Sequence, residues 1–93
     1  MKLKILTPAK IVLERDVDSV TLPGEAGQLT VLPGHDRLIA GLKPGRIYFR
    51  YLDKEKKPRR EDYDAGSGFV EVTKDAASVF VDSVAAVNPS SVL

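Results

Sequence analysis

Apolar and polar side chains change places at nearly every step along most of this chain. Leu3 and Ile5 alternate with Lys2 and Lys4, and Val20 and Leu22 with Ser19 and Thr21. Ile47, Phe49 and Tyr51 share one parity, with Arg46, Tyr48 and Arg50 on the other. Val70 and Val72 oppose Glu71 and Thr73, and Val79 and Val81 oppose Ser78 and Asp82. Successive side chains of a strand point to opposite faces, so a period of two specifies half-buried strands. Turn-formers separate these runs: Thr7-Pro8, Pro23-Gly24, Pro33-Gly34, Pro44-Gly45, Asp53-Lys54 and Ala65-Gly66. No segment sustains a 3.6 period. Asp36–Leu42 is the only mildly helical stretch, and it is too short to stand alone. The pattern predicts an all-β chain of eight to ten short strands in two packed antiparallel sheets, a β-sandwich or flattened barrel. The sandwich domain is expected over residues 1–84. Residues 85–93, AAVNPSSVL, have a Pro-Ser break and no amphipathic pattern, and are expected to be a frayed C-terminal tail.

Ninety-three residues suit a single domain, with little left over for a deep pocket. The absence of cysteine excludes a disulfide framework and a thiolate zinc site. No apolar run approaches the roughly 18 residues a membrane helix needs, and MKLKILTPAK breaks at Pro8 before a signal-peptide core can build up. The chain is therefore expected to be soluble, with membrane association only through a partner. A net charge of +1 argues against a dedicated nucleic-acid binder. The densest charge run, Asp53–Asp64, holds five basic and five acidic residues and reads as a solvated hairpin tip.

The segment GEAGQLTVLPGHDRLIAGLKPG, Gly24–Gly45, concentrates five glycines, two prolines and the chain's one histidine. A catalytic loop, a phosphate cradle and a docking surface are the candidates for such a stretch. One histidine cannot build a histidine-pair metal site. His35 and Asp36 are adjacent, and neighbours on a strand point apart, so a surface turn is the better reading than a dyad. AGSGFVEV begins like a dinucleotide loop, but Glu71 takes the place of the third glycine and a strand follows instead of a helix. Gly66 and Gly68 read instead as a turn or bulge where one strand passes close to another. Ser67 lacks the neighbours of a nucleophile elbow. Pro89 removes Asn88 as a glycan acceptor. No catalytic residue, metal site or cofactor is expected. What remains is binding by surfaces.

VDSVTLPGEAGQLTVLPGHDRLIAGLKPG, Val17–Gly45, resembles the signature of the epsilon subunit of F-type ATP synthases (delta in mitochondria). That pattern runs V-x-x-x-x-x-P-G-x-x-G-x-x-x-V-L-P-G-H-x-P-L-[IL]-[ST]-x-L-K-P-G. DAGSGFVEVTKDAASVFVDSV, Asp64–Val84, is similar to its second block, and ILTPAKIVLERDVDSV to its opening strands. The likeness runs from Leu3 to about Val84, in order and at matching spacing. It implies the N-terminal β-sandwich of a non-catalytic rotor subunit in the central stalk. Such a subunit is clamped to gamma, rests on the polar loops of the c-ring, and passes ion-driven rotation toward ATP synthesis elsewhere in the complex. By the resemblance, Glu25, Gln28, Leu29, Thr30, Val31 and Pro33 would meet the c-ring. Thr7, Pro8, His35, Leu38, Leu42, Lys43 and Pro44 would lie against gamma. The implied location is peripheral to an energy-transducing membrane, on its cytoplasmic face in a bacterium.

Three departures bear on these contacts. Gln28 stands where the family often has Glu, Thr30 where it often has Gly, and Asp36-Arg37 replace Ala-Pro. No I-D-x-x-R-A segment follows Val84, so the C-terminal helical hairpin of many family members is not expected, nor its inhibition of hydrolysis or nucleotide sensing. The divergent ending favours a natural short form over a truncation. A separate reading is a stand-alone carbohydrate- or peptide-binding sandwich, with Tyr48, Tyr51 and Tyr63 stacking on a sugar.

Overall fold

The computed structural model describes residues 1–87, and all its regular structure is strand. Ten strands follow in order: β1 Lys2–Leu6, β2 Ile11–Asp16, β3 Ser19–Gly24, β4 Gly27–Val31 and β5 Leu38–Leu42, then β6 Gly45–Leu52, β7 Pro58–Ala65, β8 Gly68–Val72, β9 Ala76–Val81 and β10 Val84–Ala86. They form one curled sheet in the order β10-β7-β6-β3-β5-β8-β9-β1-β2, with β4 joined to β3. β3 and β5 are linked only at Gly24–Leu42. This single pair stitches together two five-stranded halves, β10-β7-β6-β3-β4 and β5-β8-β9-β1-β2, which face each other as the expected sandwich.

The inward positions read from the alternation are buried, except Tyr51, which is half-buried at the edge of the core. Leu3, Ile5, Val20, Leu22, Ile47, Phe49, Val70, Val72, Val79 and Val81 are all at most 4% exposed. Burying a side chain such as Leu22 or Phe49 contributes roughly 2–3 kcal/mol, so this inner layer dominates the stability of the domain. Phe49 anchors it, with Tyr63 stacked at 5.9 Å and Tyr51 tilted at 6.0 Å between ring centroids.

Four local expectations change. β1 runs parallel to β9, the one parallel pairing among otherwise antiparallel ladders of the described residues. Such a pairing needs no hairpin, because the two strands come from opposite ends of the chain. Asp36–Leu42 is not helical: its second part is β5, held by five register pairs to β8. Pro23-Gly24 closes β3, and the turn follows at Glu25-Ala26. Pro23 is tolerated because β6 pairs only with Ser19–Thr21, so no ladder needs its missing N–H. β10 carries the ladder on β7 through Ala86, and Val87 N–H donates to Asp62 O at 2.9 Å. The remainder of the expected tail, 88–93, lies outside the described residues.

Gly66 and Gly68 do mark a close crossing. A Cβ at Gly68 would strike the backbone carbonyl of Phe80, and one at Gly66 the carboxylate of Asp82. Gly34, at the Pro33-Gly34 turn, has φ of 83°, a conformation that favours glycine.

Candidate functional site

The strand directions divide the turns between two rims. One rim carries the β3–β4 turn with Glu25, the β5–β6 turn with Lys43 and Pro44, and the β1–β2 turn with Thr7 and Pro8. The other carries the β4–β5 loop with Pro33 and His35, and the β6–β7 hairpin tip. A five-residue strand, about 17 Å long, separates them. The residues assigned to each partner by resemblance therefore do not cluster by set. Glu25 and Pro33, from one set, sit at opposite rims, as do Pro44 and His35 from the other.

Two of those residues are not surface at all. Val31 is 0% and Leu42 2% exposed. Their parity along β4 and β5 turns them inward, Val31 beside its ladder partner Val20, and both join the core. Their side chains cannot touch a partner, which corrects the expectation for both. The rest are half-buried or exposed. Leu29 and Leu38 are half-buried, and Thr30 is exposed, with its hydroxyl 3.1 Å from that of the buried Thr21. His35 is half-buried in its loop, and its Nδ1 meets the backbone oxygen of Asp36 at 2.7 Å, not the Asp36 carboxylate. That geometry is a surface turn and holds no base poised for catalysis.

The outer faces of the two halves have opposite character. On the first, Arg46 donates to Asp64 at 2.8 Å and to Asp62 at 3.4 Å, and Arg60 donates twice to Asp62. Those partners hold Asp62 below the ordinary carboxylate range, the Arg60 hydrogen bond first among them. Tyr48 lies beneath Arg60, whose guanidinium carbon is 3.9 Å from the ring centroid. This face is polar and internally satisfied.

On the second, register aligns a row of apolar side chains across β8, β9, β1 and β2 that reaches β5 at Gly41. Gly41 pairs with Phe69, Phe69 with Phe80, Phe80 with Leu6, and Leu6 with Ile11. Phe69 and Phe80 stack at 4.8 Å, and Ile39 stands one outward position along β5. Ile11 is 53%, Ile39 70% and Phe69 45% exposed. Thr7 and Pro8 share a shallow depression with Leu6, Phe69 and Phe80, beside the middle of the row. An apolar band across a whole sheet face is the surface a protein partner covers. Sequence reasoning missed it, although the signal was present: Phe69 and Phe80 occupy the outward parity, where the alternation calls for polar residues.

The flanks of the sandwich differ too. On one, Arg15 of β2 donates to Glu61 of β7, which also accepts from Tyr51 at 2.5 Å and Tyr63 at 3.2 Å. Arg15 packs 4.5 Å over the Tyr51 ring. Burial alone would raise the Glu61 pKa, but the hydrogen bonds from Tyr51 and Arg15 and the charge of Arg15 outweigh it and hold the carboxyl below its usual range. This cluster seals its flank. The opposite flank, between β4 and β5, is a groove of about 430 Å³ walled by Leu29, Leu38 and Ala40 with Glu25 and Gln28 at its rim.

Tyr51 and Tyr63 are tied to Glu61, and Tyr48 lies under Arg60, so the three tyrosines form no open stacking platform. Among the described residues no helix is long and apolar enough to cross a membrane, and no three His, Cys, Asp or Glu side chains come together as metal ligands.

Comparison with known proteins agrees with this architecture. The family model for the beta-sandwich domain of the ATP synthase delta/epsilon chain matches residues 1–87. The chain is 39% identical over 82 residues to the ATP synthase epsilon chain of a Nitratiruptor species, a match covering 88% of this chain and 60% of that one. It thus spans about 60% of the length of that relative. Two solved assemblies share the fold. A chain of the Euglena gracilis mitochondrial ATP synthase structure, described as OSCP/F1/c-ring, superposes with a TM-score of 0.78 at 21% identity, covering 90% of this chain and 51% of that one. A chain of the Tetrahymena thermophila mitochondrial ATP synthase central stalk/c-ring structure gives 0.72 at 19% identity, covering 91% and 65%. With its family match extending from residue 1 to residue 87 over one ten-stranded sandwich, the chain belongs to the ATP synthase delta/epsilon family, through that family's beta-sandwich domain.

Proposed function

We propose that this chain is a non-catalytic central-stalk subunit of a rotary F-type ATP synthase, passing c-ring rotation through gamma to ATP synthesis on other subunits. The observation that carries the reading is the contrast between faces: an apolar row from Gly41 through Phe69, Phe80 and Leu6 to Ile11 on one, a self-satisfied charge network on the other. A coupling piece needs one face gripped by a neighbour and a scaffold that does not deform under load. The sealed Arg15–Glu61 flank and the Gly68–Phe80 crossing supply the stiffness.

Gamma covers the apolar row together with Thr7, Pro8, Lys43 and Pro44 on the adjoining rim. The c-ring meets the β3–β4 hairpin through Gln28 and Thr30, whose side chains face outward. Pro33 and His35, on the far rim, shape the β4–β5 loop. The chain reaches the membrane surface only through these partners, and the reaction needs no cofactor from it. The names of the similar chains and the central stalk/c-ring description of one structural neighbour support this reading.

Mixing the purified chain with the gamma subunit of the same organism tests it. A one-to-one complex that survives gel filtration at moderate and high salt is expected, because an apolar contact resists screening. Two separate peaks at every salt concentration would contradict it.

A further inference from the structure

Among the described residues, β2, β10 and β4 each have one side without a partner strand, and β5 is open opposite β8 except at Leu42. The β2 edge carries Glu14, Arg15 and Asp16 and a register irregularity opposite Ile5/Leu6, and β10 is three residues long. Charge, bulging and shortness are the usual protections against unwanted strand pairing. β4, GQLTV, has none of them: no charge, no proline and no irregularity in its pairing with β3.

The unprotected edge faces a second one. β5 pairs with β8 on one side and, on the other, touches β3 only at Leu42. Gly41 C=O points to that open side, where it accepts Glu25 N–H at 2.9 Å. Alternation along a ladder then turns the N–H and C=O of Ile39 the same way. Every second backbone group of β4 likewise points away from β3. Between the two edges lies the groove of about 430 Å³, its walls the side chains of Leu29, Leu38 and Ala40, which also pack on the core. The Glu25 side chain folds back over Gly41 at one end of it and has no ion-pair partner among the described residues. Gly41 belongs both to this groove and to the apolar row, so the two surfaces are continuous.

We infer that the groove receives an extended segment of the same partner that covers the apolar row, lying as an added strand between β4 and β5. Its backbone pairs with the unprotected edges, an apolar side chain enters between Leu29 and Leu38, and a lysine or arginine beside it meets Glu25. The added strand bridges the two halves on their one unsealed flank, as Arg15–Glu61 does on the other. The inference rests on the proposal that gamma covers the row, and names how gamma continues beyond it.

Amide hydrogen exchange of the full chain, alone and bound to purified gamma, tests this. The groove-side amides of β4 and of Ile39 should slow by about tenfold or more in the complex. Glu25→Lys, a turn substitution that leaves the core untouched, should weaken binding by about tenfold and Glu25→Gln by less. If the complex forms, and is lost with Phe69→Asp, yet these amides exchange as in the free chain, the inserted strand is overturned while the stalk reading stands. If no complex forms, both are overturned.

Discussion

Arg15 and Glu61, 46 residues apart in sequence, close one flank of the sandwich by joining β2 of one half to β7 of the other. Both side chains are about one-third exposed, so the pair is neither a fully screened surface bridge nor a buried one. Replacing Arg15 with Met should cost about 1–2 kcal/mol after allowing for that screening, measured by urea denaturation.

The same pair sets an acid limit. Glu61 has a lowered pKa in the folded chain, so its contribution is complete above the unfolded carboxylate value, roughly 4.3. It is lost as pH falls through the lower folded value. Stability should therefore fall as pH drops below about 5. Glu61→Gln should remove part of that slope, read as the change in urea midpoint with pH, and leave the slope above about pH 6 unchanged.

Two glycines that both approach other groups should behave differently. At Gly68 an added Cβ meets the Phe80 carbonyl, a backbone group that cannot yield without breaking the β8–β9 ladder. Gly68→Ala should cost about 2–4 kcal/mol. At Gly41 the obstacle is the Glu25 side chain, which can swing away, so Gly41→Ala should stay within about 1 kcal/mol.

The contrast between core and contacts explains what could be read from the sequence. Leu3, Val20, Phe49, Val70 and Val79 were legible because a period of two depends on neighbours alone. β5 was not, because a short apolar run such as Leu38–Leu42 fits a helix turn or a buried strand equally well. Pro23-Gly24 carries a generic turn signal, and only the end of β6 pairing at Thr21 shows why the strand continues through it. The β1–β9 pairing and the Arg15–Glu61 closure join distant segments and leave no local trace. Of the candidate surface, the glycine- and proline-rich turns were visible. The row through Phe69, Phe80 and Leu6 was not, since it exists only once the register brings their strands side by side. The same registers withdrew Val31 and Leu42 into the core.

Thr21 is 4% exposed, and its hydroxyl meets that of Thr30. Thr30→Val should strand a buried hydroxyl and cost about 1–2 kcal/mol. Adding Thr21→Val should recover much of the loss, because no unpaired polar group then remains. Thermal unfolding of the two variants and their combination checks this.

The central claim is that the apolar face is the grip and the charged face is not. The direct measurement is the affinity of the full chain for purified gamma, taken in parallel for Phe69→Asp on the apolar row and Arg50→Glu on the polar face. Tight binding by the unaltered chain and by Arg50→Glu, with Phe69→Asp weaker by about tenfold or more, is the predicted result. Equal binding by Phe69→Asp, or loss confined to Arg50→Glu, would contradict the account.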